Sequence, residues 1–198
     1  MNYYREASSG LQSIPYFLGK WLANIPRIVC AALFFWIAFS IKYQNTGNAG
    51  DLYLIILFLY WFGFSTGYVV SQLVPLNYAT LTGVLVALIF AVALSGSNPN
   101  METVEGKPKG QQFFWMISGP RWALEAFYIN GISYYKNVPD TSSAFEGQPY
   151  EDINYGLDTV GYDVRNFYMD IHGLFWVGVG WGLLAMLLMV CTAKSKKR

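Results

Sequence analysis

Cysteine, histidine and charge are all scarce in this chain, and each shortage excludes a class of function. Cys30 and Cys191 are the only two cysteines among 198 residues, and both sit inside apolar runs near opposite ends. A disulfide-built exterior fold needs several cysteines in its loops, and the long polar stretch of this chain has none. The same lack argues against tetraspan scaffolds that staple their outer loops. His172 is the single histidine, and no cluster with metal-ligand spacing surrounds it. No G-x-x-x-x-G-K-[ST] loop occurs. The nearest string, Gly106-Lys107-Pro108, lacks the hydroxyl that would hold magnesium. The one G-x-S-x-G string, Gly63-Phe64-Ser65-Thr66-Gly67, lies inside an apolar run rather than at the strand-to-helix turn that exposes a nucleophile, so the chain is not expected to be an enzyme. Charged residues make up 13%, about half the ~25% of a soluble domain. The net charge of +1 gives no electrostatic case for a nucleic-acid partner. No signal-peptide pattern opens the chain: Met1 to Gly10 is polar, and the first apolar run is read as a span that inserts itself.

What the chain has instead is apolar and aromatic: 54% hydrophobic, 18% aromatic. A bilayer core of ~30 Å needs ~20 mostly apolar helical residues to cross it. Four runs qualify, at 22–41, 52–73, 79–96 and 173–191, the third being the shortest. The expected fold is therefore all-α and integral to a membrane, a single transmembrane domain. The spans hold no Asp, Glu or Lys, and Arg27 at one end is their only arginine. An intramembrane aspartate protease is excluded on that reading. So is an ion-coupled carrier, which places ionisable groups at mid-membrane. Any energy for transport then has to come from a separate ATP-hydrolysing domain.

Basic residues mark the span ends: Arg5, Lys20 and Arg27 before the first, Lys194, Lys196, Lys197 and Arg198 after the last. By the positive-inside bias both termini are expected to be cytosolic. The turn at Pro75-Leu76-Asn77 then lies inside, and the segment 97–171, where acids outnumber bases, lies outside. Residues 1–20 are polar and aromatic and read as a helix on the cytosolic surface. Ser8 or Ser9 would cap it, Pro15 would sit in the first turn of the next helix, and Pro26 would kink or start the span. Residues 111–128, interrupted at Gly119-Pro120, are too broken to span. They read as two half-helices dipping into the outer leaflet, ahead of a compact loop. Gly63 with Gly67, and Gly178 with Gly182, stand four apart within spans. That spacing allows close helix packing, and it also arises from the general abundance of glycine in membrane helices.

Three local patterns then line up in order. Tyr4-Arg5-Glu6, followed by Tyr16-Phe17-Leu18-Gly19-Lys20 and Pro26, comes first. Ser118-Gly119-Pro120-Arg121-Trp122-Ala123-Leu124-Glu125-Ala126-Phe127 is second, and Gly161-Tyr162-Asp163-Val164 is third. In order and spacing they resemble the C-terminal part of the transmembrane domain of G-subfamily (white/brown-complex) ABC half-transporters, over essentially the whole chain. The resemblance implies a nucleotide-binding domain followed by six spans, working as a homo- or heterodimer. The four runs here would be spans three to six. ATP and Mg would bind on the separate nucleotide-binding domain, with no cofactor on this chain. Arg5 and Glu6 would be the contact end of a coupling helix; the alternative is an ordinary interfacial helix. Leu85, Ile89 and Val92, on one helical face, would line the substrate path, or else be plain lipid-facing or core residues. Ser97 and Asn98 stand where the family has an outer leucine plug. Glu125 would serve a gate or simply pair with Arg121 at (i, i+4), a contact worth a few tenths of a kcal/mol when exposed. The function so implied is export of a lipid-like or hydrophobic compound, with membrane lipid as surroundings and the plasma membrane as default location. The other reading is a truncated relative that binds full-length half-transporters and modulates them.

Overall fold

The computed structural model describes residues 12–42, 47–97, 99, 101–136 and 160–195. Arg5 and Glu6, the surface helix expected ahead of Ser13, and most of the exterior loop lie outside the described residues. Every extended regular element among the described residues is helical: α1 Ser13–Ala23, α2 Ile25–Lys42, α3 Ala49–Leu73, α4 Leu76–Leu88 running into a π-helical turn Ile89–Ala93, α5 Met101–Glu105, α6 Lys109–Met116, α7 Gly119–Lys136 and α8 Phe167–Ser195, with a short 3-10 turn Val164–Asn166 before α8.

The helix ends follow from local chemistry. Pro26 has no N–H, so the carbonyl at Leu22 loses its usual partner and the helix breaks just upstream. The break falls at Asn24, whose N–H turns back to Trp21 O at 3.2 Å. The Asn24 amide donates to Lys20 O at 2.8 Å and so satisfies a carbonyl that the break would orphan. Asn48 caps α3, accepting from Gly50 N–H at 3.0 Å. Pro75 ends α3 at the next residue but one and opens α4.

All four apolar runs fold as helices, but not equally. Three are long and apolar enough to cross a membrane: Ile14–Lys42, Ala49–Leu73 and Phe167–Thr192. The third run makes a shorter apolar helix, Asn77–Ala93, reaching only ~25 Å at ~1.5 Å per residue. It was expected to 96. It stops sooner because the π turn loosens its end and Gly96, at φ 81°, turns the chain. A second difference bears on the site. The last helix begins at Phe167 rather than 173, which places Asp170 on the first turn of the helix that carries the fourth apolar run.

α3 is the central helix. α8 packs along it, α2 and α7 flank it, and α4 lies against its far side. The main core joins Ile55 and Phe62 of α3, Phe90, Ala123 and Ala126 of α7, and Leu174 of α8. Phe62, Phe90 and Trp181 meet edge to face, Phe90 lying 5.4 Å from Phe62 and 5.5 Å from Trp181, the arrangement that the ring quadrupole favours. A second core, Phe17, Val69, Ala185 and Met189, holds α1 against α3 and the C-terminal half of α8. The outward faces are also apolar, with Phe34, Ile41, Leu73 and Trp176 exposed. Contiguous surface of this kind does not persist in water; it suits lipid. The chain is an all-α integral membrane protein.

Candidate functional site

At the end of the bundle remote from α1, two segments some forty positions apart in sequence (118–127 and 161–170) meet in one buried cluster. The first opens at the break between α6 and α7. Interrupted backbone exposes carbonyls, and two indoles cover them here: Trp122 Nε1 donates to Met116 O at 2.9 Å and Trp181 Nε1 to Ile117 O at 3.0 Å. Gly119 follows because a Cβ there would overlap the Phe62 ring. Arg121 lies over the Trp122 ring, 4.0 Å from its centroid, and reaches Glu125 at 3.4 Å. Ala123 and Ala126 face the core.

The second segment supplies the other wall. Gly161 has φ 76°, and a Cβ on it would lie 2.6 Å from Glu102 N, so the position requires glycine. Tyr162 is buried and meets Tyr128 edge to face at 5.5 Å. Asp163 caps the 3-10 turn, accepting from Arg165 N–H at 2.9 Å. The Asp163 backbone and the Asn166 side chain both hydrogen-bond to Glu125. Asp170 follows on the first turn of α8.

Glu125 is 2% exposed and Asp170 1%, and both feel the single guanidinium of Arg121. The Arg121–Glu125 pair thus has an enclosed carboxylate and a guanidinium side chain only 14% exposed, and removing the arginine costs more than at a surface. Burial pushes the Glu125 carboxyl above its usual range and Arg121 opposes the shift. Burial, then the charge of Glu125, pushes the Tyr162 hydroxyl up to about 12. Among the described residues, Tyr162 Oη, Asp170 Oδ2 and Arg121 Nε have no hydrogen-bond partner. Among the described residues no group of His, Cys, Asp and Glu is arranged to hold a metal. No nucleophile is paired with a base in the cluster; its chemistry is to clamp α7 to α8.

A pH effect follows. The folded state holds the Glu125 proton more tightly than the unfolded chain, so this contribution to stability is complete below the ordinary value of 4.5 and is lost as pH rises through the folded value. Amide exchange in α7, corrected for intrinsic rates and compared with α3, is expected to quicken as pH rises above 4.5, and Glu125→Gln should remove the part of the rise that begins just above 4.5. A parallel change in α3 and α7 would refute the local origin of the effect.

Beside the clamp lies an apolar cavity of about 380 Å³ between α2, α3 and α7, walled by Phe35, Phe39, Ile55, Leu59, Leu124 and Phe127 among others. Ser95 and Ser97, hydrogen-bonded to each other at 2.9 Å, form its polar corner. Leu85, Ile89 and Val92 do not line it. They are 52%, 54% and 65% exposed on the outward face of α4 and its π turn, a helical irregularity often found at functional sites. The glycine pairs divide. Gly178 and Gly182 pack on Trp61 and Trp21, whereas a Cβ added at Gly63 or Gly67 would meet no described side chain within 4 Å.

Asp170, Asn166 and Trp181 escaped the sequence reading. The only signal for Asp170 was a carboxylate just ahead of an apolar run. Nothing in the spacing ties Trp181 to a break 64 residues away.

Residues 1–195 match the family described as ABC-2 type transporter. The chain is 24% identical over 193 residues to ABC transporter G family member 25 of Oryza sativa subsp. japonica, covering 96% of this chain and 17% of that protein. It is 24% identical over 138 residues to ABC transporter G family member 28 of Arabidopsis thaliana, covering 70% of this chain and 12% of that protein. The chain thus spans less than a fifth of the length of these relatives. No solved structure matches.

Proposed function

From the premise that this chain belongs to the ABC-2 type transporter family, we propose that it forms part of the membrane path of an ATP-driven G-subfamily exporter of a lipid-like or hydrophobic compound. ATP and Mg bind on a separate nucleotide-binding domain, which Arg5 and Glu6 contact, and a second half-transporter completes the path. Both termini lie in the cytosol, and the plasma membrane is the location. The G-family relatives support the subfamily.

The observation that carries this reading is the outward face of α4. Leu85, Ile89 and Val92 form an exposed, uncharged strip that the described residues leave uncovered. An apolar compound needs such a surface, since any charge along it would impose a desolvation barrier. The neighbouring apolar cavity ends in two hydroxyls, which suits a mostly apolar cargo with one polar group.

The test is efflux from cells or vesicles in which the chain is paired with a nucleotide-binding half-transporter. Ile89→Glu places a carboxylate on the strip without touching the core. It is expected to cut ATP-dependent efflux of a hydrophobic fluorophore by about tenfold or more, given the cost of an ionisable group at membrane depth, while membrane insertion stays normal. Val29→Glu on α2, also exposed, is the comparison. Equal loss in both variants would reduce the effect to general membrane disturbance and sink the assignment of α4.

A further inference from the structure

The opposite end of the bundle carries a groove that the transport reading does not use. It has a volume of about 470 Å³ and runs between the α1–α2 break and the C-terminal half of α3. Lys20, Asn24 and Arg27 form one wall, and Gly63, Gly67 and Tyr68 form the other with its floor.

The two parts of the groove differ in chemistry. Lys20 and Arg27 are exposed, and among the described residues neither has a carboxylate partner. The one ion pair among the described residues, Arg121–Glu125, lies at the far end of the bundle. Asn24 Nδ2 donates to the Tyr68 hydroxyl at 2.7 Å. That hydroxyl therefore acts as acceptor toward Asn24, and its own proton remains to donate into the groove. The floor is the reverse. Gly63 and Gly67, one helical turn apart, present a smooth strip on which an added Cβ would meet no described residue within 4 Å, and Phe64 borders it.

Position in the fold adds the third element. Arg27 stands at the start of the apolar run of α2, with Ile28 to Ile41 continuing beyond it. The cationic wall is thus level with the membrane boundary and the glycine strip points into the apolar zone. Exposed cations at that level attract the anionic headgroups of the bilayer, and a smooth strip admits an extended chain.

We infer that this groove seats one anionic glycerophospholipid. Its phosphate rests on Lys20 and Arg27 with the Tyr68 hydroxyl as a further donor, and an acyl chain lies along Gly63 and Gly67. A second copy of the chain fits worse, because a twofold contact here brings the Lys20 and Arg27 of both copies together without counter-charge. Inorganic phosphate would leave the glycine strip unfilled. The inference does not depend on what is transported.

The experiment is native mass spectrometry of the full chain released from bilayers holding equimolar phosphatidylglycerol and phosphatidylcholine with identical acyl chains. Phosphatidylglycerol is expected to be retained over phosphatidylcholine by about fivefold or more, on the scale of two basic residues near an anionic surface. Lys20→Gln/Arg27→Gln should erase that preference. Gly67→Leu, which fills the strip and leaves the charge unchanged, should lower retention of phosphatidylglycerol. Excess inorganic phosphate should not displace the lipid. Equal retention of the two lipids by the unsubstituted chain overturns the inference, as does displacement by phosphate. If Gly67→Leu splits a dimer while lipid retention is unchanged, the groove belongs to a second copy and the lipid assignment fails.

Discussion

Arg121→Ala is expected to lower the unfolding free energy by ~3–5 kcal/mol, the scale for stripping one partner from a buried ion pair. The reason lies in what remains. Glu125 and Asp170 are both buried, and among the described residues Arg121 is the cation that acts on both. Without it, two carboxylates share a site with no counter-charge, and the stacking of Arg121 on Trp122 is lost as well. The companion variant separates charge from packing. Arg121→Met/Glu125→Gln removes both charges of the pair but keeps an acceptor oxygen for the Asp163 backbone and a side chain of the same length for Asn166. It should recover most of the loss, because buried pairs exchanged for neutral groups of similar volume are often close to neutral. Unfolding in a bilayer mimic, followed by tryptophan fluorescence, reads both variants, since Trp122 and Trp181 cap the adjoining break. A double variant as unstable as Arg121→Ala alone would show that side-chain packing, not charge balance, governs the clamp.

This clamp marks where sequence reasoning stops. Each half was visible on its own: the interruption at Gly119-Pro120, the (i, i+4) spacing of Arg121 and Glu125, and the Gly161-Tyr162-Asp163 string. Hydropathy made the long helices legible because lipid demands continuous apolar runs, a constraint that acts residue by residue along the chain. Contact between the halves is a different kind of fact. It depends on how α7 rotates against α8, and no local periodicity encodes that. The exposed reading of Glu125 therefore undervalued it, and Asp170 was counted as loop because the apolar pattern begins only after it. The glycines teach the same lesson. Gly63-x-x-x-Gly67 and Gly178-x-x-x-Gly182 are identical as spacing, yet one pair faces open space and the other faces two indoles. Spacing names a shared helix face; tertiary packing decides what that face meets. The four apolar runs were similarly unequal, since the turn at Gly96 and the π segment shorten the third in a way that its composition does not announce.

Gly178→Leu is expected to be the most damaging single change in α8, by ~1–3 kcal/mol or somewhat more on the scale of overpacked cores. A Cβ at this position would overlap the Trp61 ring and lie 3.4 Å from Phe62 N on the α3 backbone. Trp61 has little room to yield. It stacks on Phe175 at 6.3 Å with 13° between the planes and packs against Trp21 at 4.7 Å. Displacing it would disturb α1, α3 and α8 together, so the cheaper response is for α8 to move away from α3. That motion would loosen Leu174, which is fully buried one turn earlier in α8, and the Trp181 bond to Ile117 that holds the α6–α7 break. Gly182→Leu should cost less, because the Cβ there meets Trp21 Cζ2 at 2.8 Å, the far edge of a ring rather than backbone. Gly180→Leu is the comparison that isolates packing from glycine's low helix propensity: nothing lies within 4 Å of it, and leucine is the better helix former. Ranked unfolding of the three variants in one bilayer mimic decides the matter. The order Gly178, Gly182, Gly180 from most to least damaging supports close α3–α8 approach as the reason for these glycines. Equal effects in all three would assign them to general helix flexibility instead.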